Sequence, residues 1–197
     1  RGVSAVPLRR ICRTVLDAHL LPDRATWERA VRVLWDDASY REERYAAIAL
    51  TGHRDYRDFQ DAATLDLYRH LVTTGAWWDL VDHVAVHRVG PVLRSDPATV
   101  APVMRAWARD DDLWVRRTAV LCQLASKAAT DTALLADVLA ANLAGSPHGR
   151  EFFIRKALGW ALREYAKTDP DWVLAFVAEH GADHSGLTRR EALKHLR

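Results

Sequence analysis

The chain has 197 residues, 28 of them Lys or Arg and 26 Asp or Glu, for a formal net charge of +2, with 49% hydrophobic and 27% charged residues. Such a chain buries a real core, which excludes a disordered polypeptide; no apolar run approaches the roughly twenty residues of a membrane span, and no charged-then-apolar leader opens the sequence. The small net charge does not announce a nucleic-acid binder, although a partner meets a face of the protein rather than its total charge.

Apolar positions recur at helical spacing from the start: Leu8, Ile11, Val15 and Leu16, then Trp27, Val31, Leu34 and Trp35, and near the end Trp172, Leu174, Phe176 and Val177. Breakers punctuate them at Leu21-Pro22-Asp23, Thr51-Gly52, Thr74-Gly75, Gly90-Pro91, Gly145-Ser146-Pro147 and Asp169-Pro170. No segment alternates strictly as a half-buried strand does. The expectation is an all-α chain of about ten or eleven helices joined by short loops. Cys12 and Cys122 fall inside helical patterns and read as reduced core thiols of a cytosolic protein.

The helices recur in pairs. The second members are "VPLRRICRTVL", "YREERYAAIAL", "WWDLVDHVAVH", "LWVRRTAVLCQL", "FFIRKALGWAL" and "LTRREALKHL", and one aligned column holds Arg10, Arg44, Asp82, Arg117, Lys156 and Arg190. The steps between column members are 34 to 39 residues, the length of a helix hairpin in a HEAT-type array. One domain spanning 1–197 follows, a right-handed superhelical solenoid of HEAT-like hairpins. Five of the six column positions are basic, and they come early in each helix, where the macrodipole favours acids. A positive stripe along one wall is therefore expected, suited to sequence-independent contacts with the backbone of double-stranded DNA. The plainer reading is that surface helices carry arginines at polar positions anyway.

The third unit breaks the column with Asp82, one turn after Trp78. Three readings compete there. In the first, Trp77 is a core anchor, because adjacent helical residues point about 100° apart, while Asp79, Asp82, His83 and His87 are ordinary surface residues. In the second, Asp79, His83 and His87, at i, i+4 and i+8, bind a metal; but "HVAVH" lacks a general-base glutamate, and three neighbours on one helix rarely close a coordination sphere. In the third, Asp82 stabilises the oxocarbenium-like sugar formed when a cationic, N-alkylated purine leaves DNA, with tryptophan faces around it and water as the only co-reactant. Trp160 follows Lys156 by one turn on the same face, and Arg117 lies in the repeat between, placed to hold a phosphate. No metal or other cofactor is expected.

These residues resemble the AlkD family of bacterial alkylpurine DNA glycosylases, through "WWDLVD" (77–82), "DDLWVRRTAVLCQL" (111–124), "EFFIRKALGWALREYAKTDPD" (151–171) and "LTRREALKHLR" at the end. The resemblance covers nearly the whole chain. It implies excision of lesions such as 3-methyladenine and 7-methylguanine from duplex DNA without flipping the damaged nucleotide. It also implies that Trp78, Asp82, Arg117 and Trp160 form the catalytic site. Arg44, Arg116, Lys156 and Arg190 are expected to extend the grip on DNA phosphates. Four of the basic residues are lysines, Lys127, Lys156, Lys167 and Lys194; none stands where it would form a Schiff base, so the enzyme is expected to be monofunctional. It is expected to act as a monomer, in the bacterial cytoplasm. The resemblance also implies roughly one more helix pair ahead of the point matching Arg1-Gly2, a pair expected to be absent here. The loop around Gly145–Gly149 is a few residues longer than theirs. The alternative is a catalytically inactive HEAT-repeat scaffold that binds DNA or protein.

Overall fold

A computed structural model describes residues 2–196. Among them the ordered elements are helical throughout, with no strand: α1 (Ala5–Ala18), α2 (Arg24–Asp36), α3 (Arg41–Thr51), α4 (Leu65–Gly75), α5 (Trp78–Val84), α6 (Gly90–Ser95), α7 (Pro97–Trp107), α8 (Leu113–Leu121), α9 (Thr132–Ala140), α10 (Phe152–Tyr165), α11 (Pro170–Glu179) and α12 (Gly186–Ala192). Among the described residues no helix is long and apolar enough to cross a membrane.

Local chemistry starts several of these helices, at the breakers containing Asp23 and Asp169 and at three further aspartates. Asp23, Asp96, Asp112, Asp131 and Asp169 each accept a hydrogen bond from a backbone N–H of the first turn they precede, at 2.7–3.1 Å. Asp96 and Asp169 are followed by proline at the first helical position, where its missing N–H costs nothing. An aspartate cap contributes roughly 1 kcal/mol, enough to fix a start while tertiary packing supplies the rest.

One breaker does not break. At Gly90-Pro91 the chain stays helical, passing from α5 through a π-turn at Ala85–Val89 into α6, so that α5 and α6 are two halves of one bent rod. Proline 91 has no N–H for the carbonyl of His87. The Arg88 guanidinium takes that carbonyl instead, at 2.7 Å, and the wider π-turn absorbs the ring. Counted as rods, the helices number as the periodicity predicts.

The six helices aligned by sequence pack side by side in chain order, α1 on α3, α3 on α5, α5 on α8, α8 on α10 and α10 on α12. The remaining long helices back them: α2 on α3, α4 on α5 and α8, α7 and α9 on α8, and α11 on α10. Two apolar clusters lie between these layers. Trp27, Trp35 and Tyr68 are sealed in the first, and Ile154, Leu158 and Val173 in the second. The first helix departs from its pattern: only Cys12 is buried there, while Ile11 and Val15 stay half exposed. Both cysteines are buried free thiols.

The tightest joint in the site-bearing layer is between α10 and α12. A Cβ at Gly159 would come 2.5 Å from Cβ of Glu191 and 3.1 Å from the Thr188 carbonyl, so the glycine of "KALGW" is where α12 crosses α10. We expect Gly159→Ala to lower the unfolding free energy by about 1–3 kcal/mol through overpacking, measured by urea denaturation; an unchanged midpoint would show that α12 shifts at no cost.

Candidate functional site

The chain turns sharply into α5. Ala76 adopts a left-handed conformation (φ 40°, ψ 39°) after α4, and Trp77 is extended (φ −151°, ψ 138°) ahead of the first helical residue, Trp78. This hinge corrects the expectation that Trp77 is a core anchor. That expectation assumed both tryptophans on one helix, but Trp77 lies outside it. Both rings emerge, Trp77 45% and Trp78 47% exposed. Trp77 leans edge-on against Phe153, with centroids 5.7 Å apart, and tilts toward Trp114.

Below them the carboxylate of Asp82 (α5) meets the guanidinium of Arg117 (α8) through two hydrogen bonds, Nε to Oδ1 at 2.6 Å and Nη2 to Oδ2 at 2.7 Å. Both side chains are almost sealed, 11% and 5% exposed. The remaining arm of Arg117, Nη1, donates to the Phe153 carbonyl of α10. Its charge also faces the Phe153 ring, 5.9 Å from the centroid. Burial pushes the Asp82 carboxyl above the ordinary aspartate value, and the hydrogen bonds and charge of Arg117 pull it back down.

This pair lines a concavity of about 370 Å³ that also includes Trp78, Phe152, Phe153 and Trp160, with Lys156, Arg163 and Glu191 at its polar side. Trp78, Asp82, Arg117 and Trp160 are thus brought together from three helices. Arg117 differs from its expected role: its guanidinium is committed to Asp82 and the Phe153 carbonyl, so it holds the acid rather than standing free for a phosphate.

The cations expected to grip DNA are scattered. Lys156 lines the concavity but donates to Glu191 at 2.9 Å, and Arg163 binds the other oxygen of the same carboxylate. Glu191 is held below its ordinary value, first by its hydrogen bond from Lys156. Arg190 is exposed and takes no part in the concavity; the adjacent residue does, so the last member of the column is an acid. Arg44 is half-buried over the Trp35 ring, 5.2 Å from its centroid. Arg116 corrects the sequence reading outright. It is 4% exposed, and its guanidinium donates to the carbonyls of Asp110 and, at 3.1 Å, Arg109, tying the turn before α8 in place. It has no face to offer a phosphate.

The Asp79, His83 and His87 set does not converge either. Asp79 is engaged by Arg41 and Tyr45 of α3, and no group of three or more potential ligands is gathered for a metal among the described residues. Sequence reasoning missed Phe152, Phe153, Arg163 and Glu191. Phe152 sits one turn before Lys156 and Arg163 one turn after Trp160, so the helical period alone carried that signal.

An arginine clamp on a sealed carboxylate makes a stability prediction. Arg117→Leu leaves Asp82 buried without its counter-charge and should cost about 3–5 kcal/mol, read from the urea midpoint. A loss below about 1 kcal/mol would mean that water reaches Asp82 freely.

The chain matches the family model described as DNA alkylation repair enzyme over residues 1–196. Among solved structures it is similar to one described as a predicted DNA alkylation repair enzyme from Enterococcus faecalis, with 28% identity and a TM-score of 0.85, covering 99% of this chain and 87% of that one. No curated protein matches it. A match along the whole chain, with the fold shared throughout, settles the affiliation: the protein belongs to the DNA alkylation repair enzyme family.

Proposed function

We propose that the protein is a monofunctional DNA glycosylase that hydrolyses the N-glycosidic bond of cationic N3- or N7-alkylated purines, such as 3-methyladenine and 7-methylguanine, in duplex DNA. The observation that carries this reading is the Asp82 carboxylate, gripped from behind by Arg117 and opening onto a concavity between Trp78 and Trp160. Alkylation at ring nitrogen leaves the purine positively charged. When C1′–N breaks, the bonding pair goes to the base, which departs neutral without needing a proton. The cation is now on the sugar, spread over C1′ and the ring oxygen. A fixed anion beside it stabilises that charge in the transition state more than in the ground state, which is the condition for acceleration.

Clamping does not consume the acid. A carboxylate has about four lone-pair positions, and the guanidinium fork occupies two. The outward pair remains for the sugar and for a water that attacks C1′ and passes its proton to Asp82 or solvent. Arg117 also fixes where that charge stands, so no reorganisation is needed as the reaction proceeds. Trp78 and Trp160 offer π faces to the deoxyribose and to the developing cation. The site is open rather than enclosed, which favours a nucleotide approached in place over one swung into a closed pocket. Lys156, the one lysine at the concavity, is tied to Glu191, which argues against a Schiff-base step.

A second reading draws on the same ion pair. A bidentate, buried Asp–Arg contact is also what a structural link between two helices looks like, as in a non-enzymatic scaffold. Turnover separates them. With duplex DNA carrying 7-methylguanine, Asp82→Asn should release base at least about 100-fold more slowly than wild type, while circular dichroism reports a folded protein. Equal release by both would remove Asp82 from the chemistry.

The pH profile makes an independent test. Hydrolysis needs ionised Asp82, and burial raises its pKa, so the rate on this permanently charged lesion should fall as pH drops through a value above the ordinary aspartate range. The uncatalysed release is subtracted. A rate that holds level down to the ordinary range would refute an essential carboxylate with this environment.

A further inference from the structure

Arg88 presents a separate problem, away from the concavity. It lies in the π-turn, and its partners are neutral: the Thr51 hydroxyl accepts from Nε at 2.8 Å, the Ile48 carbonyl from Nη2 at 3.0 Å and the His87 carbonyl from Nη1 at 2.7 Å, with His83 Nε2 3.5 Å from Nη2. No carboxylate pairs with it among the described residues. Part of its role is structural. It caps the carbonyl end of α3, where a cation is favoured, and the carbonyl that Pro91 orphans. Those contacts still leave a hydrogen on Nη1 unused and a partly buried charge unanswered. Burial lowers its pKa, as it does for a cation short of counter-charge.

Arg88 lines a small cleft with Gly52, His53, Arg57, Gln60 and His87. Arg57 is exposed and likewise has no acid partner among the described residues, whereas His53 and Arg54 beside it are both answered by Asp17, at 3.0 and 3.1 Å. Two uncompensated guanidiniums therefore share one opening. Gly52 makes room for the inner one. A Cβ there would stand 2.1 Å from Nη2 of Arg88 and 2.3 Å from Cζ, while its φ of −107° suits any residue, so a side chain at this position would displace the guanidinium from its present seat. The cleft measures about 200 Å³, below the roughly 300 Å³ where pockets for organic ligands begin. That is a size for an ion, and its chemistry selects an anion.

The geometry points to an oxyanion site in which a phosphate group is held between Arg57 and Arg88, with His87 and Gln60 beside it. A DNA phosphodiester and free inorganic phosphate share that chemistry. The family favours the diester, and in that choice of source the inference rests on the proposed action on DNA. His87 lies five residues beyond Asp82 on the same bent rod, roughly 8 Å of helical rise and about 140° around the axis, so the cleft is a separate opening flanking the concavity. Burial and the Arg88 charge hold His87 below the usual histidine value, so at neutral pH it brings an N–H and no charge of its own.

The experiment measures affinity for an undamaged duplex against salt concentration by fluorescence anisotropy, with wild type, Arg57→Gln and a control, Arg29→Gln on α2. Arg57 is exposed, so its replacement leaves the fold intact. A seated diester predicts that the slope of log K against log salt falls by about one for Arg57→Gln, with affinity near 0.1 M salt weakened about fivefold or more and the control unchanged. In a second arm, thermal melting compares inorganic phosphate with chloride at equal ionic strength. Stabilisation by phosphate that is lost in Arg57→Gln, with an unaltered DNA slope, assigns the site to the free anion. Neither effect would overturn it. Wild-type binding that is insensitive to salt would instead sink the DNA-facing reading of this wall. Because no turnover is measured, failure here leaves the glycosylase test standing on its own.

Discussion

The contact between Asp82 and Arg117 joins everything else in the site. It links α5 to α8, and through the Phe153 carbonyl it links both to α10, so three neighbouring helices are registered by one guanidinium. Its cost is the burial of two charges, several kcal/mol per ion once they leave water. The return is geometric as much as energetic. Each of the three arms of the fork meets a fixed oxygen, and the carboxylate is left in a single orientation. Arginine alone has this reach among cationic side chains; a lysine would supply the charge without the two parallel bonds.

Fixing the acid in this way changes the electrostatic character of the wall. A continuous stripe of cations would attract any duplex and release it slowly. Here the central arginine is neutralised by the central acid, and Lys156 and Arg163 share Glu191. For these three cations to meet a phosphate, each would have to exchange one partner for another, at the expense of an existing pair. The exposed aromatic faces of Trp77, Trp78 and Phe152 carry no such cost, because burying them against a sugar or base only removes apolar surface from water. For a protein of the DNA alkylation repair enzyme family, the combination supports recognition by shape and aromatic contact at the site, with net charge further out.

The bend in the α5–α6 rod serves the same wall. A straight helix through Pro91 would leave the His87 carbonyl orphaned, and Arg88 answers it while also capping α3. The N–H that one proline lacks is thereby answered by a cation lying between two helices of the site-bearing layer. What looks in one dimension like a loop is in three a joint.

Sequence alone determined the helical class, the helix starts after Asp23 and Asp169 and the pairing of helices into a wall, because these follow from local chemistry: apolar period, aspartate caps and a repeat of one hairpin. It also isolated Trp78, Asp82, Arg117 and Trp160, since an acid in a basic column stands out without any coordinates. Tertiary structure decided the rest, wherever a one-residue difference turns a side chain about 100° or a partner lies far along the chain. Trp77 became exposed because Ala76 adopts a left-handed turn. Arg116, adjacent to Arg117, pointed into backbone carbonyls, and Glu191 took the place expected of Arg190. That Asp82 and Arg117 would meet was written in the column as two separate positions. Only packing of α5 on α8 made them a pair.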